Sequence, residues 1–250
     1  MYKIPAKLGF KSKLVHYLPS CHSTNEIAAN LLRKGFEEGS VIITDNQTAG
    51  LGQRGNVWKT EPYKNLTFSL ILKPDFLPIT KQFLLTQVIS ISLVQVIQSY
   101  VSSLVKIKWP NDIYVGNKKI AGILIQNIVK GKEIEHSIIG IGLNVNQVDF
   151  GLINATSLFK IIHSHVELNL ILGELLEVIS KNYEELKNRN EQVLNTEYLE
   201  YLFGLDEVRK FRAENEFSGK IIGTDPLGRL LIETSTGMQC FQNQEVEFIF

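Results

Sequence analysis

The sequence has no excess of charge of either sign and little cysteine. Its 250 residues include 26 Lys and Arg against 26 Asp and Glu, so the formal net charge is zero. It therefore lacks the broad basic field that is typical of nucleic-acid-binding proteins. The two cysteines, Cys21 and Cys240, lie far apart and form no CxxC pattern, which argues against a disulfide scaffold and a cysteine zinc site. We expect a cytoplasmic protein with no nucleic-acid partner.

Long uninterrupted hydrophobic runs are also missing. The first ten residues contain no apolar core of the kind found in signal peptides. The richest apolar stretch, residues 83–97, is interrupted by Thr, Ser and Gln and is shorter than the ~20 residues that span a bilayer. We expect no membrane association. The chain is 44% hydrophobic, which is enough for a proper core.

The first half of the chain alternates between helix and strand signals. Ser23 followed by Glu26 predicts a capping box at the start of a helix. A β-branched run at 41–44 and an alternating pattern at 66–72 predict two strands. Residues 83–103 fit either period, but their length favours a helix, which Thr80 could cap.

Strand patterns dominate after residue 104. Strands are predicted at 105–109, 112–115, 119–125 and 137–146, with a hairpin turn at Gly116-Asn117, and helices at 172–186 and 191–203. The last segment reads as short strands, with a turn at Asp225-Pro226-Leu227-Gly228. These patterns indicate an α+β domain over 1–204 and a small all-β domain, expected to be a barrel, over 205–250.

A glycine loop follows the strand at 41–44. Gly50, Gly52 and Gly55 form G-x-G-x-x-G, but the dinucleotide-binding fingerprint needs a helix to open at the third glycine. The sequence after Gly55 has no helical period. The loop, with Arg54 and Trp58, could still wrap a phosphate with its backbone N–H groups. An ordinary hairpin loop is the alternative interpretation.

Three further motifs carry polar groups or bare backbone. Lys108-Trp-Pro-Asn-Asp112 is either a simple turn or a polar strand end beside a pocket. Lys119 opens an apolar strand, where its ammonium could serve a carboxylate or a phosphoryl oxygen. Gly140 and Gly142 occupy alternate positions of one strand, so a flat ligand or another backbone could approach closely there.

Together and in this order, these motifs resemble the biotin protein ligase family, over about residues 20 to 250. The elements that carry the resemblance are Ser23-Thr24-Asn25, the Gln47-Thr-Ala-Gly loop with Trp58, Lys-Trp-Pro-Asn-Asp, Lys-Ile-Ala-Gly-Ile-Leu and Gly-Ile-Gly-Leu-Asn144. The resemblance implies a class II synthetase-like catalytic domain, with a mixed or antiparallel sheet flanked by helices. It also implies that the C-terminal β domain is an SH3-like barrel.

The resemblance assigns roles residue by residue. The biotin ureido ring would be bound by Ser23, Thr24, Asn25 and Gln47, and the loop over biotin and its adenylate would be Gly50, Leu51, Gly52, Gln53, Arg54 and Gly55. Arg54 would meet the phosphate and Trp58 the adenine. Lys119 would stabilise charge between the biotin carboxylate and the α-phosphate. The pocket floor would be Gly122, Gly140 and Gly142, with Asn111, Asp112 and Asn144 on the nucleotide side.

The implied activity is a two-step ligation with ATP and biotin as substrates. Biotinyl-5′-AMP would form first, and a lysine of a biotin carboxyl carrier protein would then accept the biotin. Mg²⁺ is expected with ATP, held largely by phosphates and water, so no metal cage should appear in the sequence. His163-x-His165 is the nearest candidate and reads as an exposed loop. A homodimer formed through sheet edges is possible.

Two departures from the family pattern affect these expectations. The family often has arginine or lysine where this chain has Leu51 and Gln53, so the loop should retain the adenylate less tightly. Only 22 residues precede Ser23, too few for the winged helix-turn-helix of bifunctional members, so we expect no repressor function.

Three alternatives stay open on sequence alone. A lipoate or octanoate ligase of the same fold would have no use for the ureido contacts of residues 23–25. A non-catalytic biotin-binding protein is opposed by the presence of both Arg54 and Lys119. A dinucleotide-dependent oxidoreductase is disfavoured by the missing helix after Gly55.

Overall fold

The computed structural model describes Phe10 and residues 14–151, 154–188 and 191–249, with the side chain of Arg54 excepted. Its larger sheet has seven strands in the order β1-β2-β3-β7-β6-β5-β4. In chain order these are Val15–Leu18, Val41–Thr44, Leu66–Leu72, Val105–Lys108, Asp112–Val115, Lys118–Lys130 and Glu133–Leu143. Strands β1 and β2 pair in parallel and every other neighbouring pair is antiparallel, so the sheet is mixed.

Helices cover both faces of this sheet. In the described residues the α-helices, α1 to α5, are Thr24–Leu32, Phe83–Tyr100, Leu158–Ile162, Leu168–Lys187 and Glu191–Tyr201, and one-turn 3₁₀ helices lie at Gln53–Gly55 and Ile79–Lys81. Helix α2 packs against α4 and α5 over one face, in the main hydrophobic core. Helix α1 lies on the opposite face, where Ala28 and Leu31 meet Ile42, Ile71 and Ile138. The α+β class is therefore confirmed.

The apolar stretch at 83–103, whose pattern fits both a helix and a strand, forms helix α2. The segment Ile79–Tyr100 is long and apolar enough to cross a membrane by length and composition, but 67% of that window is buried inside the fold. Because α2 is covered by the sheet and by two helices, its apolar residues serve the core. The alternating pattern at 89–93 reflects burial on all sides, which removes the contrast between faces that identifies an amphipathic helix.

The starts of the first two predicted helices each differ from expectation in one detail. Ser23 is at the N-cap position of α1, but its hydroxyl makes no capping hydrogen bond. Instead the Gln47 side chain accepts a hydrogen bond from Thr24 N at 2.9 Å, so an orphan donor of the first turn is satisfied from outside the helix. Thr80 does not cap α2, because it lies within the 3₁₀ turn that precedes the helix.

A second, five-stranded antiparallel sheet forms the end of the chain. Its strands β8 to β12 are Val208–Arg212, Glu216–Thr224, Leu230–Thr234, Gly237–Phe241 and Glu247–Ile249, in the order β11-β10-β9-β8-β12. The predicted turn at Asp225–Gly228 joins β9 to β10 and is held by the Asp225 carboxylate, which accepts hydrogen bonds from the backbone N–H groups of Leu227 and Arg229. The expected barrel closure is not seen, since β11 and β12 are not paired in the described residues.

Candidate functional site

A cleft of about 430 Å³ opens on the face of the larger sheet that carries α1. This volume is in the range of small-molecule sites. The start of α1, the glycine loop, the strand ends of β4 to β7 and a turn of the C-terminal sheet surround it. The lining side chains from the motifs singled out above are Ser23, Thr24, Asn25, Gln47, Leu51, Gly52, Gln53, Trp58, Asn111, Asp112, Lys119, Gly122, Gly140 and Gly142.

Three glycines form the floor of this cleft. Gly122 of β6 is the direct cross-strand partner of Gly142 on β7, and Gly140 lies two residues earlier on the same face. A Cβ atom on Gly142 would lie 2.3 Å from Cε2 of Trp58, and one on Gly140 would lie 2.5 Å from Oδ1 of Asn25. A side chain at either position would therefore have to displace the Trp58 ring or the Asn25 amide.

Polar groups gather where α1 begins, above the glycine floor. Ser69 Oγ lies 2.7 Å from Thr24 Oγ1 and 2.6 Å from Asn25 Oδ1. Asn25 Nδ2 donates to Gln126 Oε1 at 3.0 Å, so both ends of the Asn25 amide are engaged within the protein. The Ser23 hydroxyl has no capping bond and its residue is 2% exposed. It is thus a buried hydroxyl that the start of α1 leaves available.

The glycine loop folds as a small hairpin over the cleft. Leu51 pairs with Val57, and Gly52 N donates to the Asn56 carbonyl at 2.7 Å. The single 3₁₀ turn ends at Gly55 and no α-helix follows it before β3. The helix that a dinucleotide-binding turn needs after its third glycine is therefore missing here, as the sequence predicts.

Trp58 lies in the cleft against the glycine floor. A Cβ on Gly142 would lie 2.3 to 2.6 Å from its Cε2, Cζ2 and Nε1 atoms, and a Cβ on Gly122 would lie 3.1 Å from its Cζ3. The indole Nε1 is buried and has no hydrogen-bond partner among the described residues. Because an unpaired buried donor is unfavourable, this N–H is suited to an acceptor on a bound ligand.

The charged groups of the cleft come from two adjacent strands. Lys119 Nζ lies 2.6 Å from Asp112 Oδ1, and the two side chains are 29% and 25% exposed. Lys119 Nζ also lies 5.5 Å from the centroid of the Trp58 ring, within cation–π range. An ammonium held at this point, beside an aromatic plane and a glycine floor, can receive a carboxylate or a phosphate.

A second lysine, Lys108, lines the same cleft. Its Nζ lies 5.1 Å from the Tyr114 ring centroid and 5.3 Å from that of Phe248. Burial lowers the pKa of Lys108, because removal from water disfavours the ammonium form. Burial, with the nearby Asp112 carboxylate, raises the pKa of Tyr114 to about 12. The two lysines of the cleft thus differ in their neighbours: Lys119 pairs with a carboxylate, whereas Lys108 lies against two aromatic rings.

A sequence profile of the biotin/lipoate A/B protein ligase family matches residues 17–144, just over half of the chain. This chain belongs to that family. The bifunctional ligase/repressor BirA of Bacillus spizizenii is 31% identical over 251 residues, which cover 96% of this chain and 77% of that protein. BirA of Escherichia coli is 27% identical over 226 residues, which cover 88% of this chain and 69% of that protein.

The fold agrees with solved structures of the biotin/lipoate ligase family. The biotin protein ligase from Aquifex aeolicus, in complex with biotin and ATP, superposes with a TM-score of 0.80 at 26% identity. The match covers 95% of this chain and 99% of that one, so it includes the C-terminal sheet as well as the larger one.

Not every residue predicted from the sequence lines the cleft of this ligase-family fold. Gly50 and Gly55 lie in the loop but outside the lining, and the side chain of Arg54 lies outside the described residues. Asn144 is 3% exposed and its Nδ2 donates to the Thr156 carbonyl at 3.0 Å. The predicted position of Asn144 on the nucleotide side of the cleft is therefore not supported, because its amide ties β7 to the segment before α3.

Other cleft residues were not predicted. Lys108 begins the Lys-Trp-Pro-Asn-Asp motif, but the sequence assigns its side chain no role in the site. Further lining residues come from the loop, from β3 and from the C-terminal sheet: Asn56, Val57, Thr67, Asn243, Gln244, Val246, Glu247 and Phe248. No sequence signal links the C-terminal residues to cleft residues that lie more than 100 positions earlier.

The sequence predicts no metal cage and offers His163 and His165 as its nearest candidate ligands. Among them, no three His, Cys, Asp or Glu side chains are grouped to hold a metal ion. His163 takes a left-handed conformation, with φ of 55°, at the end of α3. His165 Nδ1 lies 3.6 Å from the exposed Glu167 carboxylate. Both histidines are outside the cleft.

Proposed function

We propose that this protein is a biotin–protein ligase, which activates biotin with ATP and transfers it to a lysine of a biotin carboxyl carrier protein. Membership of the biotin/lipoate A/B protein ligase family supports this proposal. The observation that carries it is the cleft itself, in which Lys119, paired with Asp112, stands beside a glycine floor and beneath the glycine loop.

The first step joins biotin to the α-phosphate of ATP. A carboxylate oxygen of biotin attacks the α-phosphorus, the bond to the bridging oxygen breaks, and pyrophosphate leaves. Lys119 stabilises the charge that grows on the phosphoryl oxygens, and Arg54 is proposed to contact the same phosphate. Holding both reactants on one floor supplies much of the rate enhancement, since no covalent enzyme intermediate is needed.

The second step transfers the biotinyl group to the carrier. The neutral amine of the carrier lysine attacks the acyl carbon of biotinyl-5′-AMP, an amide bond forms, and AMP leaves. The proton lost by the amine passes to solvent. The mixed anhydride is already activated, so the chain needs no nucleophilic Ser or Cys.

The ureido ring of biotin is assigned to the polar end of the cleft. The Ser23 hydroxyl and the Gln47 amide would contact the ring, with Thr24 beside them. Asn25 has both ends of its amide bonded to Ser69 and Gln126. We therefore propose that Asn25 shapes the pocket and contacts biotin only if one of those bonds is exchanged.

Mg²⁺ fits this site as a companion of ATP. The cleft is lined by two carboxylates, Asp112 and Glu247, which is too few for a cage but matches a cation held mainly by phosphates and water. When bound, Mg²⁺ would neutralise charge on the phosphates. Asp112, which already orients Lys119, is the residue best placed to contact its water shell.

Further parts of the proposal concern the rest of the protein. The short antiparallel strands over 205–250 support an SH3-like arrangement of the C-terminal domain. Strand β1 is a sheet edge at which two copies could pair, whereas β4 is already bridged by Leu202 and Phe203; light scattering of the purified protein would test dimer formation. The free Cys21 and Cys240 support a cytoplasmic location. We propose no nucleic-acid partner, on the basis of zero net charge, and a gel-shift assay would test this.

The decisive experiment incubates the purified protein with Mg·ATP and, separately, biotin, lipoate or octanoate, and reads the products by mass spectrometry. We expect an adenylate with biotin alone. A second incubation adds a biotin carboxyl carrier domain, and its mass should rise by one biotinyl group. An adenylate with lipoate or octanoate instead, or biotin bound with no adenylate, would contradict the proposal.

A further inference from the structure

The C-terminal sheet contributes a turn to the wall of the cleft. This turn joins β11 to β12, and its residues Asn243 and Gln244 line the cleft. Two bonds fix its shape: Glu245 N donates to the Gln242 carbonyl at 3.1 Å, and Gln242 N donates to the Glu245 carboxylate at 2.6 Å. The turn therefore has a defined shape and can fix the position of a side chain that binds to it.

The sheet that carries this turn contacts the rest of the fold at Trp109, Phe83 and Phe203. Trp109 Nε1, next to β4, donates to the Gly228 carbonyl at 2.8 Å. Gly228 packs so closely on the Phe83 ring that a Cβ there would lie 2.3 Å from Cδ2. Phe203 and Phe248 also bring their rings to 6.2 Å. These contacts fix the position of the C-terminal sheet, and therefore of its turn, relative to the cleft.

The glycine loop has little apolar packing of its own. Leu51 and Val57, which pair across its neck, are 39% and 65% exposed. Its tip is instead tied to the C-terminal turn, because Asn243 Nδ2 donates to Gln53 Oε1. Among the described side chains, this is the hydrogen bond that joins the loop tip to another part of the fold.

The same pair also forms a partition. Gln53 and Asn243 line both the cleft and an adjoining groove of about 540 Å³, which runs past Trp109 towards the start of α2. The two amides therefore lie on the boundary between the two spaces, together with Trp109, Pro110, Asn111 and Ile123.

We propose that Asn243 is a positioning residue, which holds the glycine loop over the cleft through Gln53 and so slows the release of the bound adenylate. The hydrogen bond between the two amides keeps the loop over the adenylate. A charged loop residue would achieve the same by attraction to the phosphate. The effect on adenylate release rests on the proposed function, whereas the hydrogen bond between Asn243 and Gln53 does not.

The first test needs no ligand. Trypsin can cleave after Arg54, at the tip of the loop, and a tip released from Asn243 should be cleaved faster. We expect Asn243→Ala to raise the rate of this cleavage about fivefold, the effect typical of one neutral hydrogen bond. Gln239→Ala, an exposed amide of β11 in the same sheet, is the matched control and should cleave at the wild-type rate.

The second test measures release. Adenylate is formed on the protein, excess substrate is removed, and its loss is followed by mass spectrometry. Asn243→Ala should release it about fivefold faster, with no further change when Gln53→Ala is added. Asn243→Asp keeps an acceptor for Gln53 Nε2 once the Gln53 amide rotates, so it should release the adenylate more slowly than Asn243→Ala.

The outcomes separate the two proposals. Wild-type rates of cleavage and release in Asn243→Ala, or effects of Asn243→Ala and Gln53→Ala that multiply, would overturn the role of Asn243. A wild-type protein that forms no adenylate would overturn the proposed function alone, because the trypsin test would still report on the contact.

Discussion

Replacing Lys119 with alanine separates a catalytic role from a structural one. The Lys119–Asp112 pair is a quarter exposed on each side. Ion pairs that reach solvent contribute about 1 kcal/mol or less to stability. Stabilisation of developing charge in a cleft is larger, since loss of one donor lowers kcat about 10²- to 10³-fold, roughly 3–4 kcal/mol. Activity should therefore fall far more than stability.

The assay is the rate of pyrophosphate release with saturating biotin and Mg·ATP, together with a biotin dissociation constant from calorimetry and a urea unfolding curve. Lys119→Ala should lower turnover about 100-fold while weakening biotin binding less. Lys118→Ala is the matched control, because Lys118 is the preceding residue of β6 and is exposed. It should leave all three quantities near the wild-type values.

Two results would refute this reasoning. Turnover of Lys119→Ala within about twofold of wild type, roughly 0.4 kcal/mol, would mean that the ammonium does not act on the reacting groups. A loss of biotin affinity with turnover unchanged at saturating biotin would mean that Lys119 contributes only to binding of the ground state.

Three further predictions follow from contacts described above. Gly140→Ala should abolish biotin binding in calorimetry and lower the free energy of unfolding by about 1–3 kcal/mol, because its Cβ would meet the buried, hydrogen-bonded Asn25; normal binding would refute this. Trp109→Phe should lower the free energy of unfolding by about 1 kcal/mol in urea, since the Gly228 carbonyl loses its donor. The lowered pKa of Lys108 means that its charge destabilises the fold below the folded-state pKa, and that this penalty fades as pH rises towards the unfolded value. Lys108→Met should therefore be at least as stable as wild type at pH 7 and should lose the rise in stability on approaching pH 10.5, measured by thermal unfolding; a destabilised variant at pH 7 would contradict this.

Local pattern predicted most of the secondary structure around the site. The β-branched run of β2 and the alternation of β3 are confirmed within their predicted bounds, and Gly116-Asn117 does form the turn between β5 and β6. The glycines at 122, 140 and 142 were predicted as the floor and do line the cleft together. These features depend on residues near in sequence or on one shared strand face, which periodicity can detect.

The remainder depends on contacts between distant segments. Strand β1 has four residues with no clear alternation, and α3 has five, too few to show a period. Gln47 replaces the Ser23 hydroxyl as partner of the first helical turn, from a loop more than 20 residues away. Asn243 and Gln53 are separated by 190 positions. Such pairings follow from tertiary packing, and no local rule could have predicted them.

The bare floor of the cleft restricts how the specificity of this protein can be changed. Gly122 and Gly142 face each other across one ladder, where the spacing of strands is set by backbone hydrogen bonds at about 4.8 Å, whatever the side chains. No atom remains on that surface for mutation to remove, and any addition meets Asn25 or Trp58. A variant that accepts a bulkier relative of the natural ligand must therefore gain its space from the opposite wall, by shortening or redirecting the glycine loop.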